Sequence, residues 1–275
     1  MVTGLFIAAI VVYAGASVGF LVARSRAAEW ITRVGVDLLL IGAGLQMIGF
    51  VSRAIASGNM PVTNFWQTVS FLAWVTAVAS LVLILRFRMA IIGAFVAPLV
   101  TLASAAAAIA APRPRLSIPP SLRSAWLPVH VTLACGGFAM FVLAATVSLA
   151  YLICERRLKA KRPLEASADR TPSLEKLDRV NYRLLLWGFV MLSLAIVTGA
   201  IWADAAWGHF WSWEPPETWS LIIWMMYAAL LESRLTAGWR GRRIAALTIV
   251  GFTVLVGSFV GVSLIAPGKH GGSFG

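Results

Sequence analysis

Charge is scarce in this 275-residue chain: only 12% of residues are Asp, Glu, Lys or Arg, and the acidic ones number 11 against 23 basic. So little charge leaves no room for a sizeable water-soluble domain beside the apolar runs. No phosphate-cradling glycine loop, acid–base dyad or paired nucleophile is present. The two cysteines, Cys135 and Cys154, fall on one predicted helix, roughly 28 Å apart along its axis. That separation is far beyond disulfide reach. The first residues, Met1-Val2-Thr3-Gly4, carry no basic side chain, so the first apolar run is expected to be a retained helix and not a cleaved signal.

Hydrophobic residues, at 60%, dominate instead. About 20 consecutive apolar residues cross the hydrocarbon core as a helix. Eight runs qualify, near 3–23, 34–52, 62–85, 89–111, 129–153, 184–203, 217–234 and 244–266. The expected fold is an all-α polytopic membrane protein, one domain over 1–275. The net charge of +12 invites a nucleic-acid reading, but its distribution argues for no nucleic acid and a lipid surface instead. Arg53, Arg113, Arg115, Arg123 and Lys269 are the whole basic complement of the even-numbered loops and the tail; the other Lys and Arg fall in odd loops. The positive-inside rule then puts odd loops in the cytoplasm and both termini outside. The long basic loop, about 155–183, becomes a cytoplasmic segment against anionic lipid, with a surface helix after Pro172. The fourth loop, rich in Pro and Arg, reads as a stiff outer strap.

Within the sixth, outward loop, 202–219, five tryptophans crowd together: Trp202, Trp207, Trp211, Trp213 and Trp219. Trp30, Trp74, Trp187 and Trp239 suit the interfacial belt. Five indoles in one loop are too dense for that role, and such a loop needs a ligand or partner to cover it. Indole faces pack well against a large flat ring. His130 and His270 lie at the outer ends of the fifth and eighth runs, and two imidazoles can fill both axial positions of a haem iron. Haem is therefore the leading candidate ligand, with His130 and His270 as iron ligands. His209 lies in the loop without a partner at a telling spacing.

Glu214 and Glu217 flank Pro215-Pro216, a pattern that suits a helix start as well as a ligand role. Asp37 and Glu232 lie near the cytoplasmic ends of the second and seventh runs; either they are functional, or they snorkel or pair with Arg33 and Arg234. The outer Arg and Lys residues named above are the candidates to meet ligand carboxylates. The chain has no C-x-x-C-H, so it is not itself a c-type cytochrome.

The run W-G-H-F-W-S-W-E-P-P-E-T-W, from Trp207 through Gly208 to Trp219, resembles the tryptophan-rich WWD signature of haem-handling proteins of cytochrome c biogenesis. Its P-P-E-T-W ending looks most like the CcsA/ResC branch of System II. The segment Gly58–Trp74, His130 and the terminal H-G-G-S-F-G are similar to that branch as well. The resemblance implies a subunit of a cytochrome c synthase in the bacterial inner membrane. It would receive haem b from the cytoplasmic side, hold it at the outer face between His130 and His270, and present it to the C-x-x-C-H thiols of apocytochrome c. A CcsB/ResB-type membrane subunit would complete the synthase. Glu214 stands where the signature has Asp, Gln67 where the branch has Glu, and Glu232 where it often has a transmembrane histidine. The rival readings are a haem-binding accessory protein and a transporter of another apolar substrate.

Overall fold

The computed structural model describes residues 2–26, 29–110, 124–160 and 172–265. These form eight α-helices: α1 (Val2–Arg26), α2 (Glu29–Ser57), α3 (Phe65–Phe87), α4 (Gly93–Ala110), α5 (Trp126–Lys159), α6 (Leu174–Trp207), α7 (Pro215–Leu235) and α8 (Arg242–Ile265). A 3₁₀ turn, Ala90–Ile92, joins α3 to α4. Seven of the eight are long and apolar enough to cross a membrane; α7, with polar residues towards both ends, is the exception. The chain is an all-α, multi-pass membrane protein.

Helices α5 and α6, 34 residues each, form the spine. They touch through backbone at Gly137, where a Cβ would stand 3.2 Å from the Gly188 carbonyl oxygen and the Leu192 nitrogen. Apolar burial cannot drive helices together in lipid, so close packing and internal hydrogen bonds must do so. Asn181 Nδ2 accordingly donates to the Ala144 carbonyl (3.0 Å) and Ser148 Oγ (2.7 Å) of α5. At mid-bundle the Phe141 and Tyr227 rings stack at 3.7 Å and 7°, both wholly buried. Gly188 makes room for this pair, since a Cβ there would lie 2.7 Å from Phe141. The N-terminal helices are tied in by Tyr13, whose hydroxyl donates to Gln46 Oε1 (2.8 Å), while Gln46 Nε2 reaches the Ser70 carbonyl at 3.0 Å.

Several expectations change. The helices run past the apolar stretches because charged residues are good helix formers once outside lipid. Thus α5 reaches Lys159 and α6 starts at Leu174, so both ends of the basic segment are helical and the expected surface helix becomes the first turns of α6. Trp74 is no belt residue: its indole N–H donates to the Ala43 carbonyl at 3.0 Å and its ring stacks on Phe71. Asp37 and Glu232 are exposed, and neither takes the arginine expected of it. Arg33 pairs with Glu29, and Arg234 with Asp178.

This last pair closes the α6–α7–α8 end. Arg234 Nη1 donates to Asp178 Oδ1 (3.1 Å), which also accepts the Gly241 N–H at 2.9 Å. The side chains are only 10% and 17% exposed. Asp178→Asn should therefore destabilise the bundle by about 2–3 kcal/mol, because it strands a nearly buried guanidinium. Adding Arg234→Met should recover part of that loss. Thermal melting in detergent checks both; a double variant worse than the single one would contradict the account.

Candidate functional site

At the end of the bundle where α3, α5 and α7 begin and α6 and α8 finish, the helices part around an apolar cavity of about 440 Å³. That size lies in the range of small-molecule sites. One face of α5, with Leu127, His130, Val131, Ala134, Cys135 and Phe138, forms its back wall at helical spacing. Small residues of α6, including Ala195, Gly199, Ala200 and Ala203, leave the adjoining wall flat.

His130 is the polar centre of this wall. Its Nδ1 lies 2.8 Å from the Ala195 carbonyl oxygen. A carbonyl only accepts, so Nδ1 carries a proton; in a neutral ring the lone pair then falls on Nε2, the tautomer that ligates a metal. Trp202 backs the imidazole, nearly parallel at 6.0 Å and 19°, and Trp207 meets Trp202 edge-on at 4.9 Å. Gly199 is what lets the ring approach: a Cβ there would fall 2.8 Å from both Cε1 and Nδ1 of His130.

The loop between α6 and α7 is shorter than the tryptophan run suggests, spanning only Gly208–Glu214. Gly208 ends α6 at φ 79, its N–H donating to the Asp204 carbonyl at 2.8 Å. Glu214 is the N-cap of α7, and Pro215 and Pro216 fill its first turn. Glu217 accepts from Ser212 N (2.7 Å), Ser212 Oγ (3.1 Å) and Glu214 N (3.4 Å), so its carboxylate fastens the loop onto the helix. Gln67 does the same for α3, accepting from Thr63 N and Oγ1 while Asn64 caps the Gln67 N–H. An amide serves there as well as a carboxylate, which accounts for Gln at that position.

Of the residues singled out in the sequence, His130, Trp202, Trp211, Glu217 and Trp219 line the cavity. Trp207 stands behind Trp202, while Gly208 and Glu214 shape the loop without lining it. Trp213 points away, 70% exposed, with its backbone held at φ 58. That left-handed conformation is uncommon for a bulky residue and is typical of functional loops. The Trp211 Nε1 and His209 Nδ1 atoms are buried without hydrogen-bond partners among the described residues, though His209 does not line the cavity. Arg53 lies over the Phe6 ring at 4.9 Å, away from the cavity lining. His270, Arg113, Arg115, Arg123 and Lys269 lie outside the described residues. Sequence reasoning missed Gly199, Cys135, Phe65, Phe210 and Phe259, all of which line the cavity. Helical spacing of small and aromatic residues with His130 is the signal that would have found the α5 and α6 members.

A family profile for cytochrome c assembly proteins matches residues 62–270. The chain belongs to that family. Among the relatives of this cytochrome c assembly protein is the cytochrome c biogenesis protein CcsA of Parasynechococcus marenigrum (strain WH8102), 34% identical over 263 residues and covering 86% of each chain. The CcsA of Prochlorococcus marinus (strain MIT 9313) is 33% identical over 263 residues, covering 86% of this chain and 83% of the relative. Both place the assembly protein in the CcsA type, with a role in cytochrome c biogenesis. The solved structure of the cytochrome c haem lyase CcmF has the same fold, with a TM-score of 0.66 at 15% identity. The alignment covers 98% of this chain but 47% of CcmF. The matched family segment contains every helix that lines the cavity, whereas α1 and α2 precede it.

Proposed function

We propose that this assembly protein is the haem-holding subunit of a cytochrome c synthase, with haem b seated in the cavity and presented to the C-x-x-C-H thiols of an exported apocytochrome c. The observation that carries this reading is His130, set in an apolar cavity with its Nδ1 held by the Ala195 carbonyl. Bound haem supplies an iron that two imidazoles can ligate and vinyl groups that thiols can attack. The chain's own part is placement. Ala195 fixes the imidazole tautomer, Gly199 and Trp202 fix its plane, and Glu217 holds the loop that carries Trp211 against the cavity. His270, close in sequence to the outer end of α8, would supply the second imidazole in this reading. The small, flat α6 wall suits a planar ring, and the apolar lining would keep water from a bound iron.

With α7 counted as an eighth crossing beside the seven long apolar helices, the charge distribution supports an outward-facing cavity in the bacterial inner membrane, with both termini outside and residues 1–275 acting as one haem-handling domain. A CcsB/ResB-type subunit is the partner that would complete the synthase. Glu232 is exposed and does not line the cavity.

The test is the absorption spectrum of purified protein, oxidised and dithionite-reduced. Wild type should show low-spin, bis-histidine haem; His130→Ala should lose the haem and His270→Ala should turn it high-spin. A wild type that stays haem-free when purified with its partner subunit would favour a transporter of another apolar substrate.

A further inference from the structure

The walls of the cavity differ greatly in how firmly they are closed. One turn below its floor, each surrounding helix contributes to a solid layer: Phe138 gives way to Phe141 on α5, Leu192 to Gly188 on α6, and Ile223 to Tyr227 on α7. Phe141 and Tyr227 stack at 3.7 Å, and Gly188 admits the Phe141 ring without space for anything more. From the fourth side Gly251 of α8 brings its backbone close enough that a Cβ would touch Tyr227 at 3.6 Å. A flat ring the size of a porphyrin cannot pass this layer unless the core of four helices is dismantled.

The side facing α3 and α8 is built quite differently. Among the described residues these two helices make no extended contact with one another, although both pack on α5. Among the described residues, a pair of side chains bridges the seam between them. Phe65 of α3 meets Phe259 of α8 at 5.2 Å and 35°, and Phe259 rests edge-on against Phe138 of α5 at 5.5 Å. All three rings line the cavity. Two rotatable side chains are a far weaker barrier than four packed backbones, because exposed or half-buried rotamers change in nanoseconds while a packed core opens only with unfolding.

We propose that the cavity is loaded sideways from the lipid through the α3–α8 seam, with Phe65 and Phe259 as the gate, and not along the bundle axis. The occupant it fits is a flat, apolar amphiphile already dissolved in the bilayer. Its identity as haem rests on the function proposed above. The seam supplies a route that needs no histidine in the far half of the membrane, where this chain has Glu232 on its outside.

The test follows the growth of the His130-dependent Soret band after protein in phospholipid nanodiscs is mixed with haem-loaded vesicles. Phe65→Cys and Phe259→Cys are introduced into a Cys135→Ala, Cys154→Ala background and bridged by a short, thiol-cleavable bismaleimide. Bridging before mixing should slow loading by at least about tenfold, since binding that waits on a conformational change has a reduced on-rate. Cleaving the bridge should restore the rate, and bridging after loading should leave the spectrum unchanged. Independently, Phe259→Ala should speed loading, whereas Phe141→Leu with Tyr227→Leu should not. Equal rates with and without the bridge, or faster loading when the stacked layer is thinned, would overturn the gate. Absence of any Soret band in the wild type would instead sink the haem reading and is seen before any bridge is made.

Discussion

Gly199→Ala is expected to remove His130-dependent haem binding from a bundle that still folds. The added methyl would sit 2.8 Å from two atoms of the imidazole, closer than carbon atoms tolerate, and the ring must swing away from α6. Swinging away breaks the Nδ1–H bond to Ala195, and with it the reason for the lone pair to sit on Nε2. Haem affinity should fall by about 10–100-fold, the range seen when the group that orients a metal-binding imidazole is lost. Stability should barely change, because alanine gains up to about 1 kcal/mol of helix propensity over glycine to set against local crowding. Spectroscopic titration and thermal melting of the same sample separate the two effects. Normal low-spin haem in Gly199→Ala would mean that His130 is not held by α6 in the working protein.

The second large effect is expected at Glu217, and here two substitutions must disagree. Glu217→Ala deprives Ser212 N, Ser212 Oγ and Glu214 N of their common acceptor. Leaving part-buried donors unpaired costs about 1–3 kcal/mol each. The loop that carries Trp211 should shift to find water, and displacement of about 1 Å in a positioning group can lower a rate by about 100-fold. Glu217→Gln keeps an oxygen in the same place, as Gln67 does at the start of α3, and should lose less than about tenfold. The readout is covalent c-type haem formed in cells that express each variant with its partner subunit. A carboxylate acting directly on iron or thiol would make Gln as damaging as Ala, and that result would move Glu217 from positioning to chemistry.

Much of this architecture was legible in the sequence, because lipid imposes a simple rule on composition. Each of the eight apolar runs lies largely within one of the helices, and Pro215-Pro216 marks the start of α7 where it was expected. Helix ends were not legible from hydropathy, since Glu155–Lys159 and Leu174–Arg183 are polar yet helical; the apolar run measures the membrane and not the helix. The tryptophan cluster was legible as a unit but not as five roles. Trp202 is buried behind an imidazole, Trp211 and Trp219 face a cavity, and Trp213 faces out, because the chain turns between them at Gly208 and Trp213. Gly199 and the Ala195 carbonyl were invisible for a different reason. Their importance lies in what α5 presents to α6 at a sequence separation of 65, and no local pattern carries such a pairing.

The stacked Phe141–Tyr227 layer also bears on the membrane as an electrical insulator. A cell that stores energy as voltage loses it through any continuous hollow, and each elementary charge that leaks gives up about 2.3 kcal/mol per 100 mV. A cavity open at one end is harmless only if something solid spans the remainder of the bilayer beneath it. In the orientation proposed above, two interlocked rings, with the glycines of α6 and α8 drawn in around them, would be that dielectric. In that orientation the mouth could stay open while the potential fell across the layer below.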